Sequence, residues 1–152
     1  MASAGPTFPL RRLRLVACVA FCGWGSAALA DGSSAPYGGG GNFPAAAIIH
    51  KYDQSGELFR IEGQCQSSCT MLLAIKNVCV DRSATLLFHA WLAPRQRGQR
   101  PNPAKQSAML NSYNPKLRNF LVANHHVDTF DFHAISGGEI VDKFGYRDCS
   151  HK

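Results

Sequence analysis

The stretch "GQCQSSCTMLL", residues 63–73, places two cysteines four apart around a pair of serines and runs straight into apolar residues. Before it, "ELFRIEG" (57–63) alternates in the manner of a short strand stopped by Gly63. After it, "SCTMLLAIKN" (68–77) predicts a buried helix, apolar on most sides. A strand, a glycine turn and a helix that opens on serine bring a hydroxyl to a helix N-terminus. Unpaired N–H groups and the helix dipole favour negative charge there. That is the setting a serine nucleophile needs, because its attack creates an oxyanion. Serine is also a common helix cap, so Ser67 or Ser68 has an ordinary structural reading beside the chemical one.

Working outward, "VCV" (78–80) and "ATLLFHAW" (84–91) predict two short strands around "DRS". His89 falls at the end of the second, where a side chain emerges from a sheet and a base could reach a hydroxyl. On the N-terminal side, "FPAAAIIHKYDQSG" (43–56) predicts a helix, with Pro44 suited to its first turn and Gly56 to its end. "DGSSAPYGGGGN" (31–42) reads as a flexible glycine-rich segment. Beyond His89, "LAPRQRGQRPNPAK" (92–105) predicts an exposed basic loop, and 106–126 a helical pattern with Pro115 marking a kink or a join. "AISGGEIVDKFG" (134–145) predicts a short helix capped by Ser136 and stopped by Gly145. Strands alternating with helices imply an α/β class, with a small, parallel-rich sheet and crossover helices.

The first thirty residues carry Arg11, Arg12 and Arg14, then an apolar run ending Ala28-Leu29-Ala30. A basic start, an apolar core and a small-x-small end predict a signal peptide over 1–30, cleaved after Ala30. The expected organisation is then a glycine-rich segment, 31–42, and one domain, 43–152. Losing those three arginines from sixteen basic residues leaves thirteen against ten acids, a net +3. The basic residues are scattered, which argues against nucleic acid as a partner. No segment after residue 30 is long enough to span a membrane. The chain is therefore expected to be exported, periplasmic or secreted, and its oligomeric state is open.

Four of the six cysteines lie beyond residue 30: Cys65, Cys69, Cys79 and Cys149. An even number in an exported chain predicts two disulfides. Three pairings are allowed; Cys65–Cys69 with Cys79–Cys149 is preferred, although sequence does not choose among them. A single C-x3-C lacks the paired short spacing of zinc sites, so neither metal nor cofactor is expected. His125, His126 and His133 have no motif-like spacing with an acid. The first two read as cations near a helix C-terminus or as solvent-facing residues.

Taken in order, "GGGG" (38–41), "GQCQSSCTMLL" and "ATLLFHAW" resemble the Clp-protease/crotonase superfamily, in particular its Clp peptidase branch. The likeness extends to exported bacterial proteins with a "G-x-C-x-S-A-C-T" elbow and covers roughly residues 38–149. It implies a Clp/crotonase-like fold and a serine hydrolase acting on peptide or acyl substrates. Ser67, four residues after Gly63, would be the nucleophile and His89 the general base. Gly40, Gly41 and Ser68 would supply the oxyanion hole. The third member would be Asp131, with Asp128 the second choice. Ser68 stands where those exported proteins usually have alanine. The eight residues "DGSSAPYG" contain little that could pair as a strand, so the sheet is expected to be trimmed at its N-terminal side. The alternative is a non-catalytic, disulfide-stapled envelope protein on the same fold.

Overall fold

A computed structural model describes residues 1–2 and 31–150; the expected signal peptide lies outside the described residues. The chain is mixed α/β, and its strands form two three-stranded sheets. β1 (Gly32–Ser33), β2 (Phe59–Ile61) and β4 (Val78–Val80) make one, all parallel. β3 (Gln64–Gln66), β5 (Thr85–Phe88) and β6 (His133–Ser136) make the other.

From β2 to β5, successive strands therefore go to opposite sheets. The crossing from β2 to β3 is made at Gly63, whose φ of +60° suits glycine. The crossing from β4 to β5 follows alongside: Asp81 N donates to Ile61 O at 2.8 Å, and Thr85 N to Gly63 O at 2.8 Å. A strand-like run cut by one glycine thus contributes two strands rather than one, and β3 is one of the strands the sequence reading omitted.

Three further differences from expectation have physical causes. The segment 31–42 is not a free linker. Gly32 and Ser33 pair with Phe59 and Arg60, and the Tyr52 ring fills the space where a Gly32 side chain would stand. A strand therefore does precede the glycine run, contrary to the expected trimming at that point. Second, β6 is antiparallel to β5. The chain returns to the end at which β5 leaves, where Ala90 N donates to Thr129 O at 2.7 Å, and so enters β6 from that side. Third, the helix after the serines is a 3-10 helix, Ser67–Ala74.

The α-helices are α1 (Ala45–Ser55), α2 (Pro103–Leu110), α3 (Pro115–Ala123) and α4 (Gly137–Asp142). α1 ends at Gly56, φ +70°. α2 and α3 begin alike, each with proline at the first turn and an asparagine side chain accepting a backbone N–H three residues on. α4 carries a capping box between Ser136 and Glu139. Between and around these elements lies a core that includes the fully buried Phe59, Ile61, Leu72, Leu86, Phe88, Leu117, Leu121 and Ile140.

The disulfides are Cys65–Cys69 and Cys79–Cys149. The second ties β4 to the C-terminal segment, where Val80 N also donates to Arg147 O and Cys149 N to Val80 O. Two bridges fit a protein made for an oxidising compartment. Among the described residues no helix is long and apolar enough to cross a membrane.

Candidate functional site

β3 and β5 are adjacent and parallel, with Gln66 opposite Leu87. Neighbouring parallel strands lie about 4.8 Å apart. Ser67 is the next residue after Gln66, and His89 follows Leu87 by two. Both residues therefore leave the sheet at the same carboxyl edge, the usual place for ligand chemistry in parallel sheets.

Ser67 has φ +55°, one of only two non-glycine residues with positive φ among those described. A left-handed backbone at an L-residue costs about 1–2 kcal/mol, so neighbours must hold it. Four do. The Cys65–Cys69 bridge encloses it, with Cα atoms 5.3 Å apart and both cysteines fully buried. Thr70 Oγ1 donates to Ser67 O at 2.7 Å. Gly40 packs on it so closely that a Cβ there would lie 2.8 Å from Ser67 Cβ and 2.6 Å from Gln66 O.

The fourth is the rest of the glycine run. Gln66 N donates to Gly38 O at 3.0 Å and Gln66 Nε2 to Gly39 O at 2.6 Å. Ser68 Oγ donates to Gly41 O at 2.6 Å. The glycine run is thus anchored to the elbow by three hydrogen bonds.

Neither serine caps the 3-10 helix. Its cap position is Gln66, which makes no side-chain capping bond, and the Ser68 hydroxyl is engaged with Gly41. Among the described residues no group hydrogen-bonds the half-buried Ser67 hydroxyl. The ordinary reading of these serines as helix caps is therefore not what the fold uses them for.

His89 is 6% exposed. Its ring meets those of Phe130 and Phe132 edge-on, with centroids at 5.0 and 4.8 Å, and the two phenylalanine rings lie 5.9 Å from each other, so the three form one cluster. Nδ1 is buried without a hydrogen-bond partner. Burial holds the imidazole below its ordinary value of 6.5; the Ala90 backbone leans the other way without meeting hydrogen-bond geometry. The ring is thus kept neutral at neutral pH.

The remaining predicted residues are placed as follows. Gly40 N–H is used within the turn, donating to Tyr37 O at 2.8 Å, so Gly40 supplies proximity and not a donor. The backbone N–H groups of Gly41 and Ser68 make no such bond among the described residues. Asp131 lies between the two phenylalanines that flank His89, but its carboxylate turns away. It accepts from Thr129 Oγ1 at 3.3 Å and pairs with Arg97 at 3.9 Å. Asp128 accepts from or pairs with His125 Nδ1 at 2.7 Å. Neither acid orients His89. The two aromatic neighbours of the histidine were not singled out in the sequence; the signal was "FDF" in register beside the strand end.

His126 also departs from expectation. It stacks on Phe120 and meets the His133 ring at 4.4 Å. Burial first, and His133 second, lower its pKa, so it is not a helix-end cation. Among the described residues no cluster of three His, Cys, Asp or Glu side chains is arranged to hold a metal.

A cavity of about 610 Å³ lies beside the glycine run, lined by Gly38, Gly39, Glu62, Gly63 and Asp81 among others. It does not include Ser67 or His89, and neither does a smaller one of about 330 Å³ near α2. We place the candidate chemistry at the serine and not in the larger cavity, because among the described residues only the serine combines a strained backbone with an unbonded nucleophilic atom.

No protein-family model matches the chain, and neither curated proteins nor solved structures give a significant match.

Proposed function

We propose that this chain is an exported serine hydrolase of Clp/crotonase-like type, acting on peptide or acyl substrates. The observation that carries the proposal is the left-handed Ser67, φ +55°, with its hydroxyl unbonded, at the same sheet edge as a neutral, buried His89. Strained residues held firmly by their surroundings concentrate at functional sites.

Ser67 Oγ attacks the acyl carbon while its proton passes to His89 Nε2. The tetrahedral oxyanion is met by the N–H groups of Gly41 and Ser68. His89 returns the proton to the leaving group, giving an acyl-serine. Water then attacks that ester, His89 takes the water proton, and the carboxylic acid departs as Ser67 Oγ is reprotonated. With Asp131 turned toward Arg97, the histidine works as one half of a dyad, held by Phe130 and Phe132 rather than by a carboxylate.

The same feature favours the second reading. An Nδ1 with no acceptor leaves the catalytic tautomer unsupported, which suits a non-catalytic, disulfide-stapled protein in the cell envelope. An activated-serine probe separates the two. Fluorophosphonate should label the oxidised, folded protein, with labelling lost in Ser67→Ala and His89→Ala but retained in Ser68→Ala. Well-folded protein that takes no label establishes the second reading.

A further inference from the structure

We infer that Tyr113 is a positioning residue that sets the nucleophile and the base of this site at once. The inference rests on the hydrolase reading above. Tyr113 is remote in sequence from both residues, in the turn between α2 and α3, and is 4% exposed. Its hydroxyl lies 2.7 Å from Thr70 Oγ1. Thr70 has one hydroxyl proton and gives it to Ser67 O at 2.7 Å. Tyr113 is therefore the donor, and the chain runs Tyr113 Oη–H to Thr70 Oγ1, then Thr70 Oγ1–H to the carbonyl of the left-handed serine. Buried bonds in series strengthen one another. Burial also pushes the Tyr113 phenol well above its ordinary value, so it stays a donor at any working pH.

The other end of the same side chain reaches the histidine strand. The Phe88 ring meets the Tyr113 ring edge-on at 5.5 Å, and Phe88 immediately precedes His89. Phe88 is 1% exposed and packed in the core. Tyr113 is thus the residue whose hydroxyl fixes the serine backbone through one intermediary and whose ring backs the strand that delivers the base. It touches neither reacting atom, and its effect is on their relative placement. Misplacement of a reacting group by about 1 Å costs up to a hundred-fold in rate.

The test is the second-order rate of fluorophosphonate labelling of the oxidised full-length protein after its export, measured against pH with thermal unfolding in parallel. Tyr113→Phe keeps the ring against Phe88 and removes only the donor. It should lower the plateau labelling rate about ten-fold and leave the midpoint of the pH profile, which belongs to His89, unmoved. Thr70→Ser keeps the relay hydroxyl and should label close to the wild-type rate. Tyr146→Phe is the matched control. It removes the hydroxyl of a half-buried tyrosine, one that accepts from Asn114 N at 3.0 Å beside Tyr113 and bonds neither Thr70 nor the serine backbone. It should lose comparable stability and no labelling rate. Tyr113→Phe labelling at the wild-type rate, or falling only as far as Tyr146→Phe, overturns this inference and leaves the hydrolase reading intact. A wild-type protein that takes no label at Ser67 overturns both.

Discussion

The left-handed serine makes a prediction that separates strain from chemistry. Replacing Ser67 by glycine removes the Cβ that makes φ +55° costly, which restores about 1–2 kcal/mol. Glycine also gains freedom in the unfolded chain, which takes back about 0.5–1 kcal/mol. The net expectation is a protein more stable by about 0–1.5 kcal/mol, centred near about 0.75 kcal/mol. For a domain of this size the central value corresponds to about 2–4 °C in melting temperature. Ser67→Ala keeps the Cβ and the strain. It deletes a hydroxyl that no described residue bonds, so its melting temperature should stay near that of the wild type. The assay is thermal unfolding of both variants by circular dichroism, with the disulfides intact. The ordering to look for is Ser67→Gly above Ser67→Ala. If Ser67→Gly melts below Ser67→Ala, the backbone at position 67 is not strained, and the argument that strain marks the site is lost. Both variants should be inert to an activated-serine probe, so that a gain in stability accompanies the loss of the site.

The glycine run offers a contrast within two adjacent residues. Gly40→Ala should destabilise by about 1–3 kcal/mol, since its Cβ would strike Gln66 O and Ser67 Cβ and its φ is +67°, whereas Gly39→Ala meets nothing within 4 Å and should be neutral in thermal unfolding. The two disulfides should differ in weight: by loop entropy, removing Cys79–Cys149, which spans 70 residues, costs about 4 kcal/mol and removing Cys65–Cys69, which spans 4, about 2 kcal/mol in denaturant unfolding. His89 and His126 both have folded pKa values below the ordinary 6.5, so the unfolded chain binds more protons as the pH falls past that value. Stability is therefore fully present above about 6.5 and declines as the pH drops toward the folded values; His126→Asn should flatten that decline in pH-dependent melts.

Local signals in the sequence were legible where one residue type governs a boundary. Pro44 and Gly56 bracket α1, Pro115 opens α3, and Ser136 with Gly145 bounds the last helix and its turn. Asn102-Pro103 is the same cap-and-first-turn signature as Asn114-Pro115, yet the first three residues of α2, 103–105, were read with the basic, proline-rich loop before them, while the rest fell in the helical pattern of 106–126. β1, β3 and β6 were missed for a shared reason. Length does not separate them as a class from β2, β4 and β5, but their residues, "GS", "QCQ" and "HAIS", make no apolar or β-branched run, and each is a strand because a neighbour supplies the partner backbone. At the site, Ser67 and His89 were legible from a strand end on each side of the elbow. The acid was not, because "TFDFH" places Asp131 in the right segment but alternation there turns the phenylalanines to the histidine and the carboxylate to Arg97.

Arg60, in the middle of β2, touches both ends of the described domain. Its guanidinium lies 3.7 Å from the Asp31 carboxylate and donates to Cys149 O at 3.4 Å. The two extremities of 31–150 are thus separated by little more than one side chain. A short glycine-serine bridge would join them, and fresh ends could be opened in the surface loop around Gly98. Such a circularly permuted chain should adopt the same architecture and form both cystine links, because the covalent order of the segments is not what holds these short strands side by side.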